Sequence, residues 1–183
     1  MGPPALHTPR LRLRALSMAD APAIFAYSQD PEVASHVLWE THASIEDSRA
    51  FLSVVESRYD GGLAMDWGIE LEGRVVGTIG FFDRRDDHRR AELGYALGRA
   101  FWGRGLMVEA CAAVVDHGFD TLGFHRVVAS TRAENVASQR VLEKAGFRRE
   151  GLRREHLHVK GRWWDIVVFG RLAHEREVGC AGS

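Results

Sequence analysis

Three short stretches carry side chains whose type and spacing suit chemistry. The first is Arg99–Ala110, RAFWGRGLMVEA, in which Gly103 and Gly105 stand just ahead of an apolar helical run. Two glycines at such a junction let a main chain come close to an anion. The first N–H groups of the helix lack intrahelical partners, and its dipole favours negative charge. Arg99 and Arg104 are placed to add charge, and Glu109 lies one turn in, where it can cap. No Gly-Lys-Ser/Thr follows and no GxGxxG is present, so neither a P-loop nor a dinucleotide fingerprint is read here. On its own the pair of glycines reads first as a plain strand-to-helix turn. The second stretch is Arg132–Phe147, RAENVASQRVLEKAGF, where Asn135 stands at a helix start and Ser138 lies one turn on, on a similar face. The third is Glu92, a carboxylate in an otherwise apolar strand, on the same face as Gly94 and Ala96 by alternation; the structural alternative is a salt-bridged glutamate, with Arg90 as partner.

These groups need elements to position them. Arg10–Leu16 alternates basic and apolar residues and predicts a strand with Leu11 and Leu13 inward. Ser17–Asp20 reads as a capping box for a helix to Ser28, Asp30-Pro31 opens a turn or short helix, and Ser44 caps a helix over Ile45–Tyr59 that Gly61-Gly62 ends. Strands follow at Ala64–Leu71 and Arg74–Phe82 around a Glu72-Gly73 turn, then at Ala91–Gly98. Leu106–Phe119 is helical, Arg126–Thr131 a strand, Val136–Lys144 a helix closed by Gly146, and Phe147–His158 with Trp163–Leu172 a hairpin around Lys160-Gly161. The order predicts one mixed sheet with helices on its faces, an α/β class.

Taken together, Thr8-Pro-Arg-Leu-Arg-Leu-Arg14, Gly77-Thr-Ile-Gly80, Glu92-Leu-Gly-Tyr95, Trp102-Gly-Arg-Gly-Leu-Met107, Asn135-Val-Ala-Ser138, Gly146-Phe147 and Gly161-Arg-Trp-Trp-Asp165 resemble the GNAT N-acetyltransferase family. Within it they are most similar to the ribosomal-protein N-acetyltransferase (RimJ/RimL-type) branch. The resemblance spans nearly the whole chain. It implies a single domain over residues 1–183, with an ordered core of about 8–173 and a tail of 174–183. Its sheet would be mostly antiparallel, with about seven strands and about four flanking helices. It implies acetyl-CoA as cosubstrate and direct transfer to a primary amine in a ternary complex.

Residue by residue, the resemblance makes Trp102, Gly103, Arg104, Gly105, Leu106, Met107 and Val108 the diphosphate loop. Trp102 stands where the family has Gln or Arg, and Met107 where it has a small residue. Tyr95, Ala96, Leu97 and Gly98 would pair with the pantetheine arm, an amide near Ala96 or Leu97 polarising the thioester carbonyl. Asn135 would contact the same arm. The tyrosine that many relatives carry seven residues after this asparagine is Leu142 here, so Ser138 becomes the candidate donor to the leaving thiolate and Glu92 the candidate base. Trp39 and His42 fall where relatives line the acceptor side; loop packing is the other reading. The acceptor implied is a protein N-terminal α-amine, with small amines such as amino acids, polyamines or antibiotics, or a non-catalytic acyl-CoA-binding module, as alternatives. A homodimer is compatible with all of these.

Composition narrows the field. The chain has 183 residues, 24 Lys+Arg against 25 Asp+Glu, and 45% hydrophobic residues. A near-neutral charge argues against a nucleic-acid partner. No apolar run approaches the ~18–20 residues of a membrane helix, and no signal peptide is seen. Two cysteines, Cys111 and Cys180, without a CxxC pattern point to a reducing compartment, hence the cytoplasm. Nine histidines lack metal-ligand spacing, including His156 and His158 on one strand face, so no metal is expected. The DRRDDHRR loop, residues 83–90, reads as a solvated turn, with the cofactor's 3′-phosphate a remote alternative.

Overall fold

A computed structural model describes residues 2–61 and 65–175. Its strands are β1 (Leu6–His7), β2 (Arg12–Arg14), β3 (Asp66–Leu71), β4 (Arg74–Arg85), β5 (Arg90–Leu97), β6 (Arg126–Arg132), β7 (Arg148–Val159) and β8 (Arg162–Leu172). Its helices are α1 (Ala21–Ser28), α2 (Pro31–Ala34), α3 (Ile45–Asp60), α4 (Leu106–Asp120) and α5 (Val136–Lys144). The strands form one sheet in the order β1-β2-β3-β4-β5-β6-β8-β7. Every neighbouring pair is antiparallel except β5 with β6.

The expected order of elements holds, with two additions. β1 pairs Leu6 with Leu13, so the sheet reaches eight strands and begins before residue 8. The short α2 brings the helices to five; Asp30 caps it by accepting from the Glu32 amide at 3.0 Å, and Pro31 supplies its first residue. At the other end, the Leu172 amide donates to Glu175 at 2.9 Å, which ties this part of the expected tail to the fold. Both capping boxes form: Ser17 with Asp20, and Ser44 with Asp47. Glu72-Gly73 and Lys160-Gly161 both adopt positive φ, as tight hairpins require. Gly62, Ala64, Cys180 and the rest of the expected tail lie outside the described residues.

The sheet is covered on both faces. On one, α4 buries Leu106, Met107, Ala110, Cys111, Val114, Val115 and Phe119 against Ile79, Phe81, Leu93 and Val127, while α5 adds Leu142. Each large apolar side chain so buried contributes about 1.5–3 kcal/mol. On the other face, Ile24 and Tyr27 of α1 and Leu52, Val55 and Tyr59 of α3 close over Val75 and Ala96. A separate cluster of Val128, Trp164, Ile166 and Val168 covers the β6–β8 end. Leu11 and Leu13 point inward as their alternation requires. Among the described residues, no helix is long and apolar enough to cross a membrane.

Candidate active site

Among the described residues, the sheet opens at its one parallel pair. β5 and β6 pair from Arg90 with Arg126 up to Leu93 with Ala129. Beyond that point β6 continues alongside β8 alone, through Thr131 with Val167 and Arg132 with Ile166, while β5 continues alongside β4. The two strands diverge and leave a gap. The Gly98 amide donates to the Val76 carbonyl at 2.8 Å, on the β4 side. Alternation then places the amide of Ala96 on that same side, paired with Thr78, and turns the backbone groups of Tyr95 and Leu97 toward the gap. Of the two amides singled out by sequence, Leu97 is the one that faces it.

The gap runs into the glycine loop. Gly103 and Gly105 hold φ of +72° and +74°, and Gly105 forms the N-cap of α4. Glu109 N–H is the first to find a helical acceptor, the Gly105 carbonyl at 3.2 Å, so the amides of Leu106, Met107 and Val108 head the helix without intrahelical partners. The side chains of Leu106 and Met107 are buried in the core. Met107 therefore does not crowd the loop, and what it offers there is its main chain. A Cβ on Gly103 would meet nothing within 4 Å. The Trp102 indole N–H donates to the Leu97 carbonyl at 2.7 Å and pins the loop to the end of β5.

Charge around the loop is arranged differently from expectation. Arg99 is drawn away, its Nε donating to Asp30 at 2.7 Å beside α2. Arg104 stacks its guanidinium over Phe101, 5.7 Å from the ring centroid. The cation that reaches the loop is Arg10. Its Nε donates to Glu109 at 2.7 Å, its Nη1 donates to the Arg104 carbonyl at 2.8 Å, and its Nη2 lies 3.6 Å from where a Gly105 Cβ would sit. Glu109 also accepts from Thr8 at 2.5 Å and from the Arg10 amide at 2.9 Å. Burial raises the Glu109 pKa, and these donors outweigh it and hold the carboxyl below its usual range. Thr8 and Arg10 belong to the Thr8–Arg14 motif but carry no expected role there. The signal was there: a basic residue in an N-terminal strap, and an acidic residue in the first turn of the helix it crosses.

The remaining candidates divide between the two faces. Glu92 lies across from Phe82 on β4 and Val128 on β6, partly exposed, on the face that α1 and α3 cover farther along. Arg90 does not pair with it; Arg90 donates to Asp83 at 3.2 Å. On the opposite face the Tyr95 hydroxyl lies 2.8 Å from Ser138 Oγ, so α5 and β5 meet across the gap. Burial, with a further contribution from the nearby Cys111, pushes the Tyr95 phenol far above its usual range. Asn135 caps α5, its Oδ1 accepting from the Ser138 amide at 3.0 Å. Leu142 is a core residue at 1% exposure.

Trp39 and His42 sit in a braced loop. Their rings are 5.5 Å apart, His42 Nδ1 is 2.8 Å from Ser48 Oγ, and Lys160 Nζ donates to the carbonyls of Trp39 and Ala34 at 2.8 and 2.6 Å. Arg132 donates to the Ser35 carbonyl at 2.7 Å and stacks over Trp164 at 4.3 Å. This loop is thus tied to the β6–β8 end of the sheet. The DRRDDHRR segment is largely self-paired, Arg84 with Asp86 and both Arg85 and Arg90 with Asp83. Cys111 is fully buried with its thiol pushed up by desolvation, which suits packing and not nucleophilic work.

Comparison with known proteins gives this arrangement a context. Residues 10–148 match the family model described as the acetyltransferase (GNAT) domain. The chain is 36% identical over 168 residues to the uncharacterized N-acetyltransferase YoaA of Bacillus subtilis, covering 91% of this chain and 95% of that protein. It is 29% identical over 132 residues to the ribosomal protein uS5-alanine N-acetyltransferase of Escherichia coli, covering 70% and 68% respectively. The crystal structure of an acetyltransferase of the GNAT family from Bacillus anthracis superposes with a TM-score of 0.84 at 27% identity, over 93% of this chain and 99% of that one.

Proposed function

The chain belongs to the GNAT acetyltransferase family and is an N-acetyltransferase, and on that premise we propose that it transfers acetyl from acetyl-CoA to a protein N-terminal α-amine in a ternary complex. The observation that carries the cosubstrate is the gap itself. The outward edge of Tyr95–Leu97 is a strand edge without a neighbouring strand beyond Leu93 among the described residues, and it leads into a loop whose helix-heading amides have no intrahelical partners. An amide-bearing arm fits the edge as an added strand would, and a diphosphate fits the amides of Gly103–Val108. Acetyl-CoA would supply an activated acetyl thioester. The Leu97 amide would donate to its carbonyl oxygen as charge develops there. Asn135, by capping α5, would set Ser138 near the sulfur. In this reading the chain acts as one acetyltransferase domain, in the cytoplasm, without a metal.

The acceptor amine must arrive neutral, and an N-terminal α-amine with a pKa of about 7.7–8.0 gives up its proton readily near neutral pH. Glu92, on the face opposite Ser138, would take that proton directly or through water. Trp39 and His42 would shape the approach. The likeness to the ribosomal protein uS5-alanine enzyme favours a protein acceptor. The test is thiol release from acetyl-CoA with free peptides, the same peptides N-blocked, and small amines. Release confined to free N-termini is the expected result. Release with polyamines, amino acids or aminoglycosides and none with peptides would overturn the acceptor.

A further inference from the structure

Leu142 occupies the position where many relatives carry a tyrosine, yet a tyrosine hydroxyl still reaches this site from another element. We propose that Tyr95 is a positioning residue of the transfer step: its phenol donates a hydrogen bond to the Ser138 hydroxyl and so turns the serine's own proton toward the coenzyme sulfur. The inference rests on the acetyl-CoA reading above and adds a residue to it.

The geometry brings the two hydroxyls together. Tyr95 OH is 2.8 Å from Ser138 Oγ and 3.4 Å from the Ser138 carbonyl. The first is a good hydrogen bond and the second is at the limit. Ser138 is fixed from behind, because its amide donates to Asn135 Oδ1. Tyr95 lies two residues past Leu93, the last β5 residue to pair with β6, and therefore on the diverging part of the strand. Its hydroxyl keeps its proton throughout the working range, since burial disfavours the phenolate. A chain from phenol to serine to sulfur strengthens as negative charge develops at its end.

The same reasoning changes what Ser138 does. As the neutral amine nitrogen bonds to the acetyl carbon, the carbon–sulfur bond breaks and its electron pair passes to sulfur. The nitrogen's surplus proton leaves to Glu92 or water. A thiol has a pKa of about 8.5, far below a serine hydroxyl, so Ser138 has no need to surrender its proton. It stabilises the departing thiolate as a hydrogen-bond donor, and sulfur takes up its proton afterwards from solvent.

The test reads the thiol of bound CoA. Thiolate absorbance is followed against pH as a difference between protein with and without CoA. All three tyrosines are pushed up, Tyr27 and Tyr59 to about 12 and Tyr95 beyond, and the Cys111 thiol is pushed up as well, while the second cysteine, Cys180, is common to both samples and cancels in the difference. The wild-type protein should lower the thiol pKa relative to free CoA. Tyr95→Phe should raise it by about half a unit to one unit, and Ser138→Ala by at least as much. The double variant should go no further than Ser138→Ala. CoA affinity should stay within about twofold, and kcat should fall about three- to tenfold without a matching change in KM. A Tyr95→Phe titration identical to wild type, or a Tyr95→Phe effect that persists in the Ser138→Ala background, overturns the proposal. If the titrations behave as stated while no amine is acetylated, the transferase reading falls and the Tyr95–Ser138 pair stands.

Discussion

Gly103 and Gly105 hold φ of +72° and +74°, and Gly161 at the tip of the β7–β8 hairpin holds +73°. An L-residue in that region costs about 1–2 kcal/mol. A Cβ meets nothing within 4 Å at Gly103 or Gly161, and at Gly105 only the Arg10 guanidinium at an ordinary 3.6 Å, so steric clash does not separate the three. Alanine at each should lower Tm by about 2–8 °C, taking about 2–4 °C per kcal/mol for a chain of this size. Only the loop positions should also lose ligand. Relief of the strain turns an amide away from the cradle, and an N–H donating to a charged group is worth about 1.5–3 kcal/mol, or about ten- to a hundredfold in CoA affinity. Gly161→Ala should leave that affinity alone. Asparagine, which tolerates the left-handed region, should recover part of the loss at Gly103 and Gly105. Calorimetric titration with CoA beside thermal melts decides the matter. Equal losses of Tm with CoA affinity unchanged in all three alanine variants would refute the cradle.

Glu92→Gln should reduce turnover at neutral pH at least about tenfold while acetyl-CoA affinity stays near normal; unchanged turnover would remove the base. Arg14→Met should lower Tm by about 6–12 °C, from about 3 kcal/mol, because Arg14 holds both Asp20 at 2.8 Å and Glu70 at 2.5 Å and its loss leaves the buried Asp20 without its cation and the largely buried Glu70 with Arg12 alone. Burial alone raises the Asp20 pKa, but the hydrogen bonds from Arg14 and Ser17 outweigh it, so the carboxyl sits below its usual range. The stability it confers is complete above a pH of about 4 and is lost as pH falls through its folded value, a loss that Arg14→Met should blunt in acid melts. His36, His42 and His117 are held below the usual histidine range, chiefly by burial. The unfolded chain therefore takes up protons first, and Tm should begin to drop once pH falls below about 6.5.

Much of this site was legible in the residues. Gly103 and Gly105 announced a strand-to-helix turn ahead of an apolar helix, and alternation put Glu92 with Gly94 and Ala96. Asn135 was readable as a cap, which is what its Oδ1 does. What escaped was contact between distant segments. Thr8 and Arg10 reach Glu109 across about a hundred positions in the chain, and Tyr95 reaches Ser138 from a different element. Local pattern has no term for such meetings. Arg99 looked like a cation for the loop because sequence proximity was the only guide; a short helical turn over Arg99–Phe101 carries it instead to Asp30. Met107 stands where the resemblance expects a small residue, and helical periodicity sends its side chain into the core.

The divergence of β5 from β6 also has a mechanical meaning. Among the described residues, four residue pairs, from Arg90–Arg126 to Leu93–Ala129, carry the strand pairing between the β1–β5 leaf and the leaf made of β6, β8 and β7, and the packing of α4 and the ties from Arg132 and Lys160 do the rest. The sheet is split at one end of its middle, and the coenzyme arm would lie in the split. A molecule that pairs with the edge of β5 and is touched by α5 from the other leaf works as a rivet. Occupancy should then slow amide hydrogen exchange along both leaves, well away from the atoms it touches, and departure of the product should return the sheet to its looser state.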